Sequence, residues 1–303
     1  MAKINPIMNR YEFVILYDVL NGNPNGDPDA DNMPRIDPDT NIGIVTDVCI
    51  KRKIRNYIER NCDRENGYDI YVTRKGTLNS KDEQALKELK PNAVKKEDEE
   101  KFVTDFMTQR YFDIRTFGAV LTGFTKDETK KYTTSGGKLS GNAGQLTGPV
   151  QLAFGHSIDP IYPQNITITR QAITTEKDAE KKSNEMGNKW IVPYGLYRTD
   201  GYISATLANR TGFSDEDIKV LWNAILNMFE DDRSASRGQM AVRKLIVFKH
   251  DSKLGNAPAH KLLESVKITK KEGVETPRSF NDYKIVVPSP DELPNGVSIK
   301  VYE

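Results

Sequence analysis

A chain of 303 residues with 44 Lys and Arg against 43 Asp and Glu, a net charge of +1, has room for one elaborated domain or two smaller ones. Its composition, 37 % apolar and 29 % charged, is that of an ordinary globular protein with a sizeable core. No run approaches the roughly 18 apolar residues that span a bilayer, and the opening MAKINPIMNRYE lacks the apolar centre of a secretory signal, so a cytoplasmic location and no membrane partner are expected.

In chain order, Tyr11, Phe13, Ile15, Tyr17 and Val19 alternate with Glu12, Val14, Leu16, Asp18 and Leu20, which predicts a largely buried central strand. Residues 21–40, NGNPNGDPDADNMPRIDPDT, are dense in turn formers and read as a long, flexible surface loop. A helix is predicted over about 45–60, with Ile50, Ile54, Tyr57 and Ile58 facing inward and Lys51 and Arg55 along one border. Cys49 and Cys62, without a CxxC pair, support neither a disulfide framework nor a zinc ribbon. Polar residues 63–110 read as an inserted subdomain with helices near 82–89 and 97–110.

Strands are predicted over 112–121 and 150–154, separated by the glycine-rich SGGKLSGNAGQLTGP, a mobile loop. The alternation over 166–170, the polar 174–188 and the apolar 190–197 together predict a projecting hairpin. Further strands are expected over 202–207, 242–248, 266–269, 284–287 and 297–302. Ser214 opens a helix with a capping box, whose inward stripe is Ile218, Leu221, Trp222, Ile225 and Phe229. Without the insertions the order is strand, helix, strand, strand, helix, strand. That is an α+β fold of the RNA-recognition-like (ferredoxin-like βαββαβ) kind.

Catalytic signatures are missing. There is no GxxxxGK[ST], no GxGxxG opening a helix after a strand, and no GxSxG. His156, His250 and His260 stand apart from one another, and Asp27, Asp29 and Asp31 start an EF-hand pattern that Asn32 and Pro38 break. No catalytic residue, metal site or cofactor is predicted.

Charge is unevenly spread. Lys51, Arg52, Lys53, Arg55, Arg60 and Arg64 stand against Glu59 and Asp63, whereas Glu97, Asp98, Glu99 and Glu100 form an acidic run. A basic helix is often only a solvated face, but these cations border an apolar stripe directly after a turn-rich loop, an arrangement suited to holding a polyanion. Tyr11, Phe13 and Tyr17 could stack bases, although a central strand favours them as core. Near the hairpin, Arg170, Lys189 and Trp190 are candidate strand contacts, and Met186 beside Gly187 is a candidate apolar wedge at its tip. A near-neutral total also lets many copies pack side by side.

The segments NGNPNGDPDADNMPRIDPDT, VTDVCIKRKIRNYI, DIRTFGAVLTG, LTGPVQLAFGHS, ITRQAITTEKDAEKKSNEMGNKWIVPYGLYRTDGYISA and RGQMAVRKLIVFKHDSKLGNAPAHKLLESVKI follow in order between residues 10 and 268. Through them the chain resembles the backbone subunit of type I CRISPR surveillance (Cascade) complexes, in particular the type I-C (Csd2-like) group of the RAMP superfamily. The resemblance implies a palm with finger-like and thumb-like insertions, and copies stacking along the spacer of a CRISPR RNA beside other Cascade subunits. It further implies that the guide pairs with target DNA and that the subunit itself is not a nuclease.

Mapped onto this sequence, residues 1–62 would supply the first strand, loop and basic helix of the palm, and 63–110 the finger. Residues 111–160 would supply palm strands with the glycine-rich loop, 161–198 the thumb-like hairpin, and 199–303 the rest of the palm. The RNA-binding candidates are Arg35, Lys51, Arg52, Lys53, Arg55, Arg170 and Lys189, with Met186 at the thumb tip. Type III relatives of similar fold cleave target RNA with an aspartate of the loop after the first strand, and Asp27, Asp29, Asp31, Asp37 and Asp39 keep that alternative open. A structural oligomer without RNA is the third reading.

Overall fold

The computed structural model describes residues 5–64, 67–74, 77–88, 98–121, 133–134, 137–138, 144–170 and 185–303. Its core is an antiparallel sheet centred on β1 (Tyr11–Gly22). On one side β1 pairs with β8 (Glu185–Ile203), which in turn pairs with β6 (Gly155–Pro160), and β6 with β2 (Ile42–Val45). On the other side β1 pairs with β9 (Gln239–His250), and β9 with the edge strand β12 (Val297–Tyr302). The helices α1 (Asp47–Asn61) and α6 (Asp215–Asn227) supply the two crossovers. The spatial order β9, β1, β8, β6 is the split βαβ order expected from the sequence, with α1 joining β1 to β6 and α6 joining β8 to β9.

β1 reads as an apolar run because both its faces are covered. Phe13, Ile15, Tyr17 and Val19 pack with Ile50, Ile54 and Ile58 of α1 and Leu221, Trp222 and Ile225 of α6. Val14 and Leu16 pack on the opposite face with Phe248 and with Leu262 and Leu263 of α7 (Ala259–Ser265). The ring of Phe13 meets Trp222 edge-on at 4.9 Å, and Tyr17 stacks on Tyr197 at 5.6 Å. These aromatic rings are core and are closed to a nucleobase. The two buried carboxylates of β1 are matched: Glu12 meets His250 Nε2 at 2.5 Å, and Asp18 meets Arg243 at 2.9 Å and the Tyr194 hydroxyl at 3.1 Å.

α1 starts where Thr46 caps it, accepting the Cys49 N–H on its hydroxyl. α6 starts with the capping box the sequence predicts, Ser214 with Asp217. Two expected strands are helices at least in part. Over 112–121 the chain forms α4 (Phe112–Phe117) before the short β3 (Gly118–Leu121), which pairs with β4 (Gly144–Thr147) outside the main sheet. All six residues of α4 are buried, so no polar face marks its helical period. Over 202–207, β8 stops at Ile203, and Ser204 caps α5 (Ala205–Thr211), which Gly212 ends in the left-handed conformation at φ 77°.

The glycine-rich stretch likewise contains β4, and residues 135–136 and 139–143 lie outside the described residues. The short β5 (Val150–Leu152) pairs with the end of β8. In the region 63–110, α2 (Leu78–Glu88) and α3 (Glu99–Arg110) are present. Val103 and Met107 of α3 join Tyr71, Tyr111, Ile114 and Leu121 in an apolar cluster separate from the main core. Of the projecting ribbon, β7 (Gln164–Arg170) pairs with residues 185–191 of β8, and 171–184 lie outside the described residues. β8 runs without a break through position 198, so ribbon and central sheet share one strand. On the face opposite the crossover helices, β10 (Lys267–Lys270) and β11 (Tyr283–Val286) form a separate ladder.

Candidate nucleic-acid interface

The Asn/Gly/Pro/Asp loop is tied down rather than flexible. Asn25 Oδ1 accepts both the Thr46 N–H at 2.9 Å and the Thr46 hydroxyl at 3.0 Å, pinning the loop to the start of α1. Residues Gly26–Asp27 pair with Met33–Pro34, and Asp31 and Asn32 turn the chain with φ of 49° and 59°. Two of its five aspartates are turn-makers: Asp27 accepts the Asp29 N–H and the Arg35 guanidinium, and Asp37 accepts the Thr40 hydroxyl and the Asp39 N–H. Those hydrogen bonds, the Thr40 hydroxyl foremost, hold the Asp37 carboxyl below its ordinary range. Among the described residues no three His, Cys, Asp or Glu side chains gather as metal ligands.

Positions 49, 52, 53 and 56 recur at helical spacing and form one side of α1. This side lines a cleft of about 340 Å³ closed by the start of the loop (Asn23 to Gly26), by Arg74, and by the turn containing Asp232, Ser234, Ser236 and Arg237. Two glycines bring the far wall close: a Cβ on Gly22 would lie 1.9 Å from Arg237 O, and Gly238, at φ 56°, would place one 2.3 Å from Asn21 O.

Four cations and one carboxylate line this cleft. Asp232, itself buried, receives Lys53 Nζ on Oδ2 at 2.5 Å and Arg237 Nη1 on Oδ1 at 2.8 Å. One negative charge thus holds two positive ones at the wall. Arg52 donates to Val72 O at 2.7 Å, and among the described residues no carboxylate pairs with it. Burial, and then the neighbouring charges of Arg55 and Arg74, push its guanidinium below the ordinary arginine range, although it stays charged. Arg74 is exposed and has no hydrogen-bond or ion-pair partner among the described residues. Uncompensated positive charge at a partly desolvated wall attracts an anion.

The structure disperses the sequence candidates. Arg52 and Lys53 line the cleft, although Lys53 is buried in its ion pair. Lys51 and Arg55, placed on phosphates by the sequence reading, turn the other way: Lys51 pairs with Asp47 at 2.9 Å and Arg55 Nε with the buried Asp113 at 2.7 Å. Both also pack over the Phe117 ring. Asp113 accepts the backbone N–H groups of Tyr71 and Val72 as well, so Arg55 serves to clamp this wall of the fold. Arg35 is part-exposed and held by Asp27 at 3.1 Å.

On the ribbon, the backbone of Arg170 lies opposite that of Glu185 in the ladder, and the Arg170 side chain lies outside the described residues. Lys189 is half-buried opposite Ile166. Met186 stands on the arm opposite Thr169, 77 % exposed, and not at the turn where the sequence reading put it. Sequence reasoning missed Arg74, Arg237, Asp232, Asn23 and Asn56.

The family described as CRISPR-associated protein Cas7 matches residues 9–288. The chain belongs to that family. Over 256 residues, 82 % of this chain and 72 % of the relative, it is 26 % identical to a Cas7 protein of Haloferax volcanii. Among solved structures it is similar to a chain of a CRISPR RNA-guided surveillance complex, with 11 % identity and TM-score 0.44, covering 79 % of this chain and 68 % of that one. It is also similar to a chain of a Type III-B Cmr-beta complex bound to cognate target RNA, with 10 % identity and TM-score 0.42, covering 79 % and 61 %. In this Cas7 family member the cationic cleft lies beside the end of the central strand.

Proposed function

We propose that this chain is the CRISPR RNA-binding backbone subunit of a type I-C surveillance complex. Copies of it line up along the guide spacer with other Cascade subunits, and the guide then pairs with target DNA in antiviral defence. Charge and fold support this reading: the cleft at the end of the central strand gathers Arg52, Lys53, Arg74 and Arg237 around a single carboxylate. Phosphate contacts of this kind bind strongly and ignore base identity, which a guide-holding subunit requires. The wording of the loop over 21–40 supports the type I-C assignment. Of the loop aspartates, Asp27 and Asp37 are engaged in turns and an ion pair, and Asp29, Asp31 and Asp39 keep cleavage as the alternative reading.

The test is the RNA that copurifies with the protein. Repeat-spacer transcripts of defined length are expected, and protein free of defined-length nucleic acid would return the structural-oligomer reading. Incubation with complementary RNA and magnesium should give no evenly spaced, aspartate-dependent cuts. Replacing Arg52, Arg74 and Arg237 together by alanine should lower affinity for all RNA sequences. The salt slope should fall by roughly 0.7 per lost contact.

A further inference from the structure

Two asparagines line the cleft beside its cations. Asn23, at the end of β1, and Asn56, on the third turn of α1, are each 7 % exposed, and both line the cleft beside Arg52 and Lys53. Asn23 Nδ2 donates to Asn32 O at 2.6 Å, but its Oδ1 is buried with no hydrogen-bond partner among the described residues. The Asn56 side chain makes no hydrogen bond within the described residues, although the helix around it is tightly packed. Buried amide groups are ordinarily paired, so Asn23 Oδ1 lacks a donor, and the Asn56 amide stands at the cleft without a protein partner among the described residues.

The chemistry of the missing partner is restricted. Asn23 Oδ1 is an acceptor, and a phosphate oxygen is also an acceptor, so phosphate cannot satisfy it. The partner has to donate. A ribose 2′-hydroxyl donates and accepts, lies next to a backbone phosphate, and is the group that separates RNA from DNA at a given site.

We propose that the cleft is a ribonucleotide subsite in which Asn23 and Asn56 hold a 2′-hydroxyl beside the phosphate bound by the surrounding cations. The 2′-hydroxyl donates to Asn23 Oδ1 and accepts from Asn56 Nδ2. Selection of RNA over DNA then comes from two uncharged side chains, and affinity from the cations. This rests on the RNA-binding reading above. A site built to hydrogen-bond a hydroxyl rejects the analogue lacking it, because its own buried groups are left unpaired.

Asn56→Ala breaks no internal hydrogen bond and is the clean variant; Asn23 also anchors Asn32, so its oxygen is probed by altering the RNA instead. The full chain is titrated with oligouridine, oligodeoxyuridine and 2′-O-methyl oligouridine of equal length. Wild-type protein should bind oligouridine about five- to tenfold more tightly than either analogue. In Asn56→Ala the preference over oligodeoxyuridine should shrink by about fivefold through weaker RNA binding, with DNA affinity and salt slope unchanged. Equal losses on RNA and DNA, an unchanged preference in the variant, or no preference in wild type would overturn the ribose assignment and leave RNA binding standing. Wild-type protein that binds none of the three would overturn both.

Discussion

The two borders of α1 carry the same residue types and end in opposite states. On one, Lys51 and Arg55 meet Asp47 and Asp113 and lie across the Phe117 ring, so their charge is consumed in holding the chain together. On the other, Arg52 and Lys53 share a cleft with Arg74 and Arg237 against Asp232 alone. A cation is structural or ligand-facing according to what faces it, and the facing groups come from residues far along the chain.

The sharpest way to break this contrast is to remove one cation from each side. Arg55→Ala leaves the buried Asp113 carboxylate without its counter-charge and should cost about 3–5 kcal/mol in urea unfolding. Arg74→Ala, exposed and with no partner among the described residues, should stay within about 0.5 kcal/mol of wild type. Comparable losses of stability would erase the distinction. The order should invert in RNA titrations, where Arg74→Ala lowers affinity and the salt slope by roughly 0.7, and folded Arg55→Ala keeps the wild-type slope.

Smaller effects test the scaffold beneath the cleft. Thr46→Ala removes the α1 cap that also binds Asn25, and should cost about 1 kcal/mol by denaturant midpoint while loosening the loop wall. At Asp18, burial raises the carboxyl above its ordinary range against the opposing pull of Arg243. A raised folded value means the native state keeps a proton that the unfolded chain has released. That contribution is full below the unfolded value and is lost as pH rises through the folded one. Asp18→Asn should therefore flatten the decline of stability with rising pH in the acid range, and an unchanged profile would show the shift to be absent.

The smallest change in stability is expected at Met186, which is exposed on the ribbon arm. Met186→Ser should shift unfolding by no more than about 0.5 kcal/mol. If the ribbon reaches the neighbouring copy, the variant should shorten RNA-bound filaments in electron micrographs. Filaments of normal length would remove Met186 from that contact.

Where local chemistry was sufficient, the sequence was readable. The alternation of β1, the Ile50, Ile54 and Ile58 stripe of α1, and the Ser214 and Asp217 box of α6 each depend on neighbours within a turn or two. Where every side chain is buried, as in α4, or where a serine and a glycine bound a short helix inside an apparent strand, as in α5, period alone misled. The cleft was legible only by half: Arg52 and Lys53 stood among the candidates, but Arg74, Asn23, Asn56 and Arg237 carry no local mark of convergence.

Sequence by itself determined the central strand β1 and the helices α1 and α6 with their inward faces and the α6 cap, because those follow from interactions over three or four residues. Only tertiary structure decided which cations remained free to hold an anion. Lys53 and Asp232 are 179 positions apart and Arg55 and Asp113 are 58 apart, and electrostatic energy depends on distance in space rather than along the chain.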